Sequence, residues 1–202
     1  RIMALRTCNA YCTTSTDALL VVAGLIPLHL LAAERRSLFC SKGKQDMVVS
    51  PGTAPRDVHN GDDIREDTIN QWQNEWNASP NGKWTRRLIK EIKPWIKRKW
   101  GQVGYYMTQC FDRTRCVYEV SVWNKNRNSD KCMYCNEVDD VEHTLFQCPR
   151  WELTRTSTNI DVGIKMTPDN IISVMLTSRE RWHSVEVFMK QIMKGKEVDE
   201  KR

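Results

Sequence analysis

The sequence predicts a mainly α-helical protein, and three observations lead there. Apolar residues recur at spacings of three and four along most of the 202 residues, the period of one helical face. Helix start and stop residues punctuate these runs: Thr13, Thr14, Ser15 and Thr16 before Asp17, then Gly24, Pro27 and Thr167-Pro168-Asp169. One cysteine-rich stretch, CMYCNEVDDVEHTLFQC, runs from Cys132 to Cys148 and reads as a compact metal loop. The expected architecture is a set of short helices (an N-terminal hairpin, basic linker helices and C-terminal helices) around a small Cys2HisCys zinc knuckle.

Residues Arg1 to Cys12 read as a first helix, with Ile2, Leu5 and Ala10 available for packing. Thr14 or Ser15 can cap a second helix, with Asp17 in its first turn and Gly24 as a left-handed stop. Pro27 opens a third through Leu28, Leu30, Leu31 and Ala32, because a first-turn proline forfeits no helical hydrogen bond. The apolar run from Ala18 to Ala33 is broken by Gly24, Pro27 and His29. It is too short to cross a bilayer and reads as two buried helices, with His29 packed and binding nothing. Ser41 to Asp63 has the composition of a flexible linker, with Gly43, Pro51, Gly52, Pro55 and Gly61. A polymerase carboxylate pair holds two metals between apolar strands; Asp62-Asp63 has no such flanks and reads as a solvated turn. A helix from Arg65 to Trp76 follows, with Ile69, Trp72 and Trp76 on one face, and Ser79 to Gly82 make a turn.

The next segment, KWTRRLIKEIKPWIKRKW, carries eight Lys/Arg and one Glu, a net +7. The chain as a whole carries +6, so everything outside this block sums to −1. Trp84, Leu88, Ile92 and Trp95 line one helical face, and Pro94 forces a break and can begin a second short helix. The cations are left facing outward. Such a surface binds phosphates without regard to sequence and with strong salt dependence. The candidate nucleic-acid-binding residues are Lys83, Arg86, Arg87, Lys90, Lys97, Arg98 and Lys99, with Arg150 beyond the metal loop. Trp84 or Trp100 could stack on a base.

Val103 to Cys110 and Cys116 to Trp123 read as two further helices, the second β-branched and able to be a strand instead, with Cys110 and Cys116 structural. Thr167-Pro168-Asp169 starts a helix through Ile171, Ile172, Met175 and Leu176. Trp182, Val185, Phe188, Met189 and Ile192 form the apolar stripe of a last helix, either core or a docking surface. Lys194 to Arg202 read as a frayed, charged tail. The implied segments are 1–40, a linker at 41–63, a basic helical region at 64–125, the knuckle at 126–155 and C-terminal helices at 156–202.

The metal loop spells Cys132-x2-Cys135-x7-His143-x4-Cys148. Three sulfurs and one imidazole at these spacings can close a tetrahedral zinc site with no open position, which makes the metal structural. His143 and Cys148 fit about one and a half turns of helix. Trp151 is expected to pack on Leu145 and Phe146 against the metal. Glu137, Asp139, Asp140 and Glu142 make the loop acidic, so it should repel phosphate and act as a pin. Asp139, Asp140 and Glu142 could themselves hold a catalytic metal, as in a nuclease, but read better as an exposed turn.

Eight cysteines would suit a disulfide framework only in a small secreted chain. No secretion signal is evident, so a reducing, intracellular setting is expected, without membrane association. Arg1 at the start suggests a piece of a longer chain.

Four groups of residues carry a family resemblance. Ala10-Tyr11-Cys12-Thr13, Ser15-Thr16-Asp17-Ala18-Leu19 and Ala23-Gly24 resemble a segment that follows the polymerase palm in insect non-LTR retrotransposons. Gly82-Lys83-Trp84-Thr85, Leu88-Ile89 and Trp95 resemble the next block, and Tyr105-Tyr106-Met107-Thr108-Gln109 the one after it. Cys132, Cys135, Glu142-His143-Thr144-Leu145-Phe146 and Cys148-Pro149-Arg150-Trp151 resemble the terminal knuckle. The chain is thus similar to the C-terminal part of their Pol polyproteins, those of type-1 elements in ribosomal DNA above all. Two departures stand out: Phe111-Asp112-Arg113-Thr114 replaces a Gly-His-Gly turn, and Cys12 stands where arginine is usual.

The resemblance implies a thumb-like first hairpin, then a linker to the knuckle, in a protein with RNA-directed DNA polymerase and endonuclease activities. The catalytic carboxylates, and the Mg2+ they use, would lie in domains outside this chain. The implied role is to hold template RNA or target DNA beside an upstream polymerase domain, in the nucleus. The alternative is a zinc-pinned protein-interaction module that docks through the Trp182 to Ile192 face.

Overall fold

A computed structural model describes residues 1–10, 12–45, 61–112 and 131–200. Among them are ten α-helices: α1 Ile2–Cys8, α2 Thr16–Ala23, α3 Leu28–Gln45, α4 Gly61–Ala78, α5 Lys83–Leu88, α6 Ile92–Lys97, α7 Tyr105–Phe111, α8 Glu152–Val162, α9 Ile171–Thr177 and α10 Arg179–Glu200. A π-helical turn, His143–Gln147, and a 3-10 turn, Pro149–Trp151, lie between α7 and α8. There is no strand among the described residues, only an isolated bridge between Lys131 and Val138. The mainly helical expectation holds. The expected segment Cys116 to Trp123 lies outside the described residues.

Local signals explain most boundaries. Ser15 Oγ accepts from the Ala18 amide and caps α2, and Gly24 ends it at φ 65° with its N–H on the Leu20 and Val21 carbonyls. The first helix stops at Cys8, where Asn9 adopts the left-handed conformation (φ 51°). Its packed face is Ala4 and Cys8; Ile2, expected to pack, is exposed. The third helix runs on past Arg36 to Gln45, and α4 starts at Gly61, so helices enter the expected linker from both ends. Residues 46–60 are outside the described set. Asp62 and Asp63 therefore sit in the first turn of α4, where a negative charge favours the helix dipole, not in a loop.

Two expectations for the N-terminal hairpin need correction. Only α2 is a buried helix; α3 buries Leu30 and Glu34 and leaves Leu28 and Phe39 exposed. His29 is also exposed, and its Nε2 lies 3.0 Å from Glu75 Oε2 on α4. Among the described residues no single helix is long and apolar enough to cross a membrane, though α2 and the start of α3, bent by 60°, pass that test as a pair. The buried side chains of α2, Ala18, Leu19, Val21 and Val22, face the core.

The break in the basic segment falls at Ile89–Glu91, before Pro94, which is the third residue of α6. A proline in the first turn costs no hydrogen bond, so the helix forms around it. The α9 helix likewise starts at Ile171, later than the sequence suggests, because Asn170 Oδ1 takes the Thr167 amide and holds 167–170 as a turn.

One hydrophobic cluster threads the described chain. It includes Leu19, Trp76, Trp84, Trp95, Phe111, Leu145, Cys148, Trp182 and Phe188. The α10 helix is its spine, packed on α7, α8, α9 and the π-helical turn. Trp182, Val185, Phe188, Met189 and Ile192 are all buried there, as expected of a core stripe. The end of α10 is not frayed in the described residues: the helix continues to Glu200, and Lys196 is 4% exposed.

Candidate metal centre

Cys132, Cys135, His143 and Cys148 converge, with one ligand atom from each lying within 4.8 Å of the others. Cys132 Sγ is 3.8 Å from Cys148 Sγ, and Cys135 Sγ is 3.1 Å from His143 Nε2. A tetrahedral zinc ion with sulfurs at about 2.3 Å would separate them by about 3.8 Å, so the donor set and its spacing fit zinc. Cys132, His143 and Cys148 are buried and Cys135 half-buried.

Backbone geometry brings the ligands together in two steps. The Cys132 amide donates to the Glu137 carbonyl (2.7 Å) and the Asn136 amide to the Cys132 carbonyl (2.9 Å). Asn136 closes this turn at φ 65°, a conformation that asparagine tolerates better than most residues. The second step is the π-helical turn. In an α-helix the residue five positions on is rotated by about 140° and would face away from the metal. Here the Cys148 amide donates to the His143 carbonyl at 2.7 Å, an i to i+5 bond. That one-residue expansion brings Cys148 back over His143. The expected helical spacing was right in length and wrong in winding.

The acidic loop is spent inside the fold. Asp140 Oδ1 accepts from the His143 amide at 2.7 Å and caps the turn. Asp139 is buried against the Lys196 ammonium. Glu142 meets Arg87 at 2.8 Å, a contact that raises the Arg87 pKa. The expectation of an exposed acidic turn thus fails for Asp139, which is buried, while Asp140 and Glu142 are half-buried. Burial, chiefly, pushes the Cys148 thiol up to about 11. A bound cation would reverse that direction by binding the thiolate.

The basic residues divide into three groups. Arg86 donates to the Trp76 and Ser79 carbonyls at 3.1 and 2.6 Å and so covers the C-terminus of α4, with its guanidinium over the Trp76 ring. Arg98 donates to the Trp95 carbonyl at the end of α6 and lies between two indoles, 4.0 Å from Trp95 and 5.4 Å from Trp182. Burial pulls its pKa down. Arg87 and Lys90 both reach Asp169, at 3.3 and 2.9 Å. Lys97 is 3.8 Å from Glu66, and Lys93 pairs with that carboxylate more closely. Arg150 lies over Tyr134 and Trp151 and 3.6 Å from Asp199. Lys83 and Lys99 are exposed and have no carboxylate partner among the described residues. Trp84 is buried and donates to the Cys110 carbonyl at 2.9 Å, which leaves no face for a base.

Sequence reasoning missed Arg155. Its guanidinium donates to the Leu145 and Cys148 carbonyls at 3.1 and 2.9 Å, clamping the end of the π-helical turn. Only its position soon after the last ligand could have hinted at this. Trp151 is buried, edge-on to Tyr134 with ring centres 6.1 Å apart.

No protein-family model matches the chain, and no solved structure does. One curated protein does match: a retrovirus-related Pol polyprotein from type-1 retrotransposable element R1 2 of Nasonia vitripennis. The chain is similar to a retrotransposon Pol polyprotein. Identity is 21% over 210 residues, covering 96% of this chain and 49% of that protein. The chain thus spans about half the length of its curated relative.

Proposed function

We propose that the chain is a nucleic-acid-holding region of a retrotransposon Pol polyprotein, with zinc as its structural ion. The observation that carries this reading is similarity to such a polyprotein along nearly the whole chain. Four protein ligands would fill the zinc shell, so the ion supplies shape, not a reactive water. Polymerase and endonuclease chemistry, with its Mg2+, belongs to other parts of the parent protein. The upstream polymerase domain is the intramolecular partner, and the nucleus the place of work.

Phosphate contact falls to the cations that the fold leaves to solvent. Lys83 and Lys99 come first, with Lys97 next. Arg87, Lys90 and Arg150 are available only by exchanging a carboxylate for a phosphate. Arg86 and Arg98 act through the fold that presents the others.

The test is a titration of the zinc-loaded chain with a labelled RNA and a DNA duplex at several salt concentrations. Binding should weaken with salt. Lys83→Glu with Lys99→Glu should lower the slope of log K against log salt by about 0.7 to 0.9 per lost phosphate contact. An unchanged slope overturns the assignment of these lysines, and no binding at all overturns the nucleic-acid reading.

The protein-docking alternative loses its expected surface, because the Trp182 to Ile192 face is core. Other residues favour it: Ile2, Met3, Leu28 and Phe39 are 68 to 81% exposed on α1 and α3. Capture of the polymerase-bearing part of the polyprotein, lost with Leu28→Asp and Phe39→Asp, would favour that reading if nucleic acid fails to bind.

A further inference from the structure

The last turns of α10 touch every ligand-bearing segment of the metal loop. Tyr134, between Cys132 and Cys135, donates its hydroxyl to Asp199. Thr144, beside His143, accepts from the Lys196 ammonium at 2.8 Å, and that ammonium also pairs with Asp139. Arg150, two residues past Cys148, reaches Asp199 at 3.6 Å. Trp151 lies so close to Gly195 that a Cβ there would sit 2.6 Å from the ring.

Lys196 is the informative member. Its side chain is 5% exposed, as is that of Asp139. A buried ammonium is tolerated only while its partners are in place. Asp139 and Thr144 belong to the metal loop, and the loop has no strand of its own among the described residues. A loop of this kind takes its shape from the ion it encloses. Docking of Lys196 therefore requires the loop shape that the metal favours. Thermodynamic reciprocity then demands the converse: a docked Lys196 must raise metal affinity by the same factor.

We infer that Lys196 is a positioning residue of the metal centre, and that Gly195 to Asp199 form a wall of it that latches when the ion binds. This rests on the four-ligand reading of the site. The upstream half of α10 needs no metal, because Trp182, Val185 and Phe188 are held by the helical core. The latch is local to the helix end.

The test uses the full chain. Zinc affinity is measured by chelator competition, coordination by the cobalt(II) absorption spectrum, and helix order by hydrogen exchange with and without metal. Chelation should speed exchange at 194–200 at least tenfold and leave the amides near Val185 much less affected. Lys196→Met should weaken zinc binding by about 10- to 100-fold, the usual effect of removing an outer partner of a metal site, and alter the cobalt spectrum. Tyr134→Phe removes one hydroxyl between the ligands and should weaken zinc by a few-fold. This milder variant, with exchange on the parent chain, decides the matter if Lys196→Met does not fold. Metal bound at one ion per chain, with exchange at 194–200 unchanged on chelation, would overturn the latch and leave the metal centre standing. So would metal affinities in both variants equal to the parent's. A parent chain that takes up neither zinc nor cobalt would overturn the metal centre itself, and the latch with it.

Discussion

Arg98→Met separates the two roles that a basic residue in this segment can have. The guanidinium lies 4.0 Å from the Trp95 ring centre and 5.4 Å from that of Trp182, and donates to the Trp95 and Gly101 carbonyls. A partly desolvated cation–π contact is worth about 1 to 2 kcal/mol, and a hydrogen bond from a charged donor about 1.5 to 3. Methionine refills much of the space between the rings and recovers the cost of burying the charge. The net loss should be about 2 to 3 kcal/mol. At about 2 to 4 °C per kcal/mol for a chain of this size, calorimetry should show a fall in melting temperature of about 4 to 12 °C. Affinity for an RNA oligonucleotide, measured by anisotropy below the melting range, should change by less than about twofold, and the salt slope should stay the same. An unchanged melting temperature with weakened, less salt-dependent binding would refute the argument: Arg98 would then face phosphate, not the indoles.

Other perturbations follow from the same geometry. Gly82 sits at φ +65°, and an added Cβ would lie 2.9 Å from Ala18 Cβ and 3.2 Å from the Trp76 ring. Gly82→Ala therefore combines a left-handed penalty of about 1 to 2 kcal/mol with overpacking of about 1 to 3, and urea unfolding should show a loss of at least 2 kcal/mol. Removing the metal should destabilise the chain by about 4 kcal/mol when the ion is at 1,000 times its dissociation constant, seen as a metal-dependent melting temperature. Burial pushes the Cys8 thiol up to about 11, whereas Cys12 and Cys40 are exposed. Alkylation at pH 8 should therefore mark Cys12 and Cys40 and reach Cys8 only on unfolding, as mass spectrometry of the digested chain would show.

Much of the fold was legible because it rests on local signals. Ser15, Gly24 and the Trp182–Ile192 stripe each specify their element through chain neighbours or periodicity, and each is found as expected. The clustering of Cys132, Cys135, His143 and Cys148 was legible because a four-ligand metal site demands few residue types at narrow spacings. The winding between His143 and Cys148 was not: composition cannot distinguish an α-turn from a π-turn when the difference is one hydrogen bond. The charged residues were the least legible. Arg86, Arg98 and Arg155 each set the guanidinium on backbone carbonyls at the end of a helical segment. A charge count sees only cations there, because the carbonyls that claim them are fixed by tertiary packing. Lys196 was misjudged for the same reason, since nothing near it in sequence announces Asp139.

The metal loop and the basic helices looked electrostatically opposed in the sequence, and in the fold they meet through Arg87 and Glu142. That contact does not hold them together. Its side chains are 41% and 30% exposed, and a pair so placed is worth at most about 1 kcal/mol. The shared core does far more. Leu145 and Cys148 belong to the same buried cluster as Trp84, Trp95 and Phe111, with α10 running between them. Each such side chain, fully buried, contributes about 1.5 to 3 kcal/mol, so a few of them exceed the ion pair several-fold. High salt should therefore weaken nucleic-acid binding long before it loosens the metal loop from the basic helices.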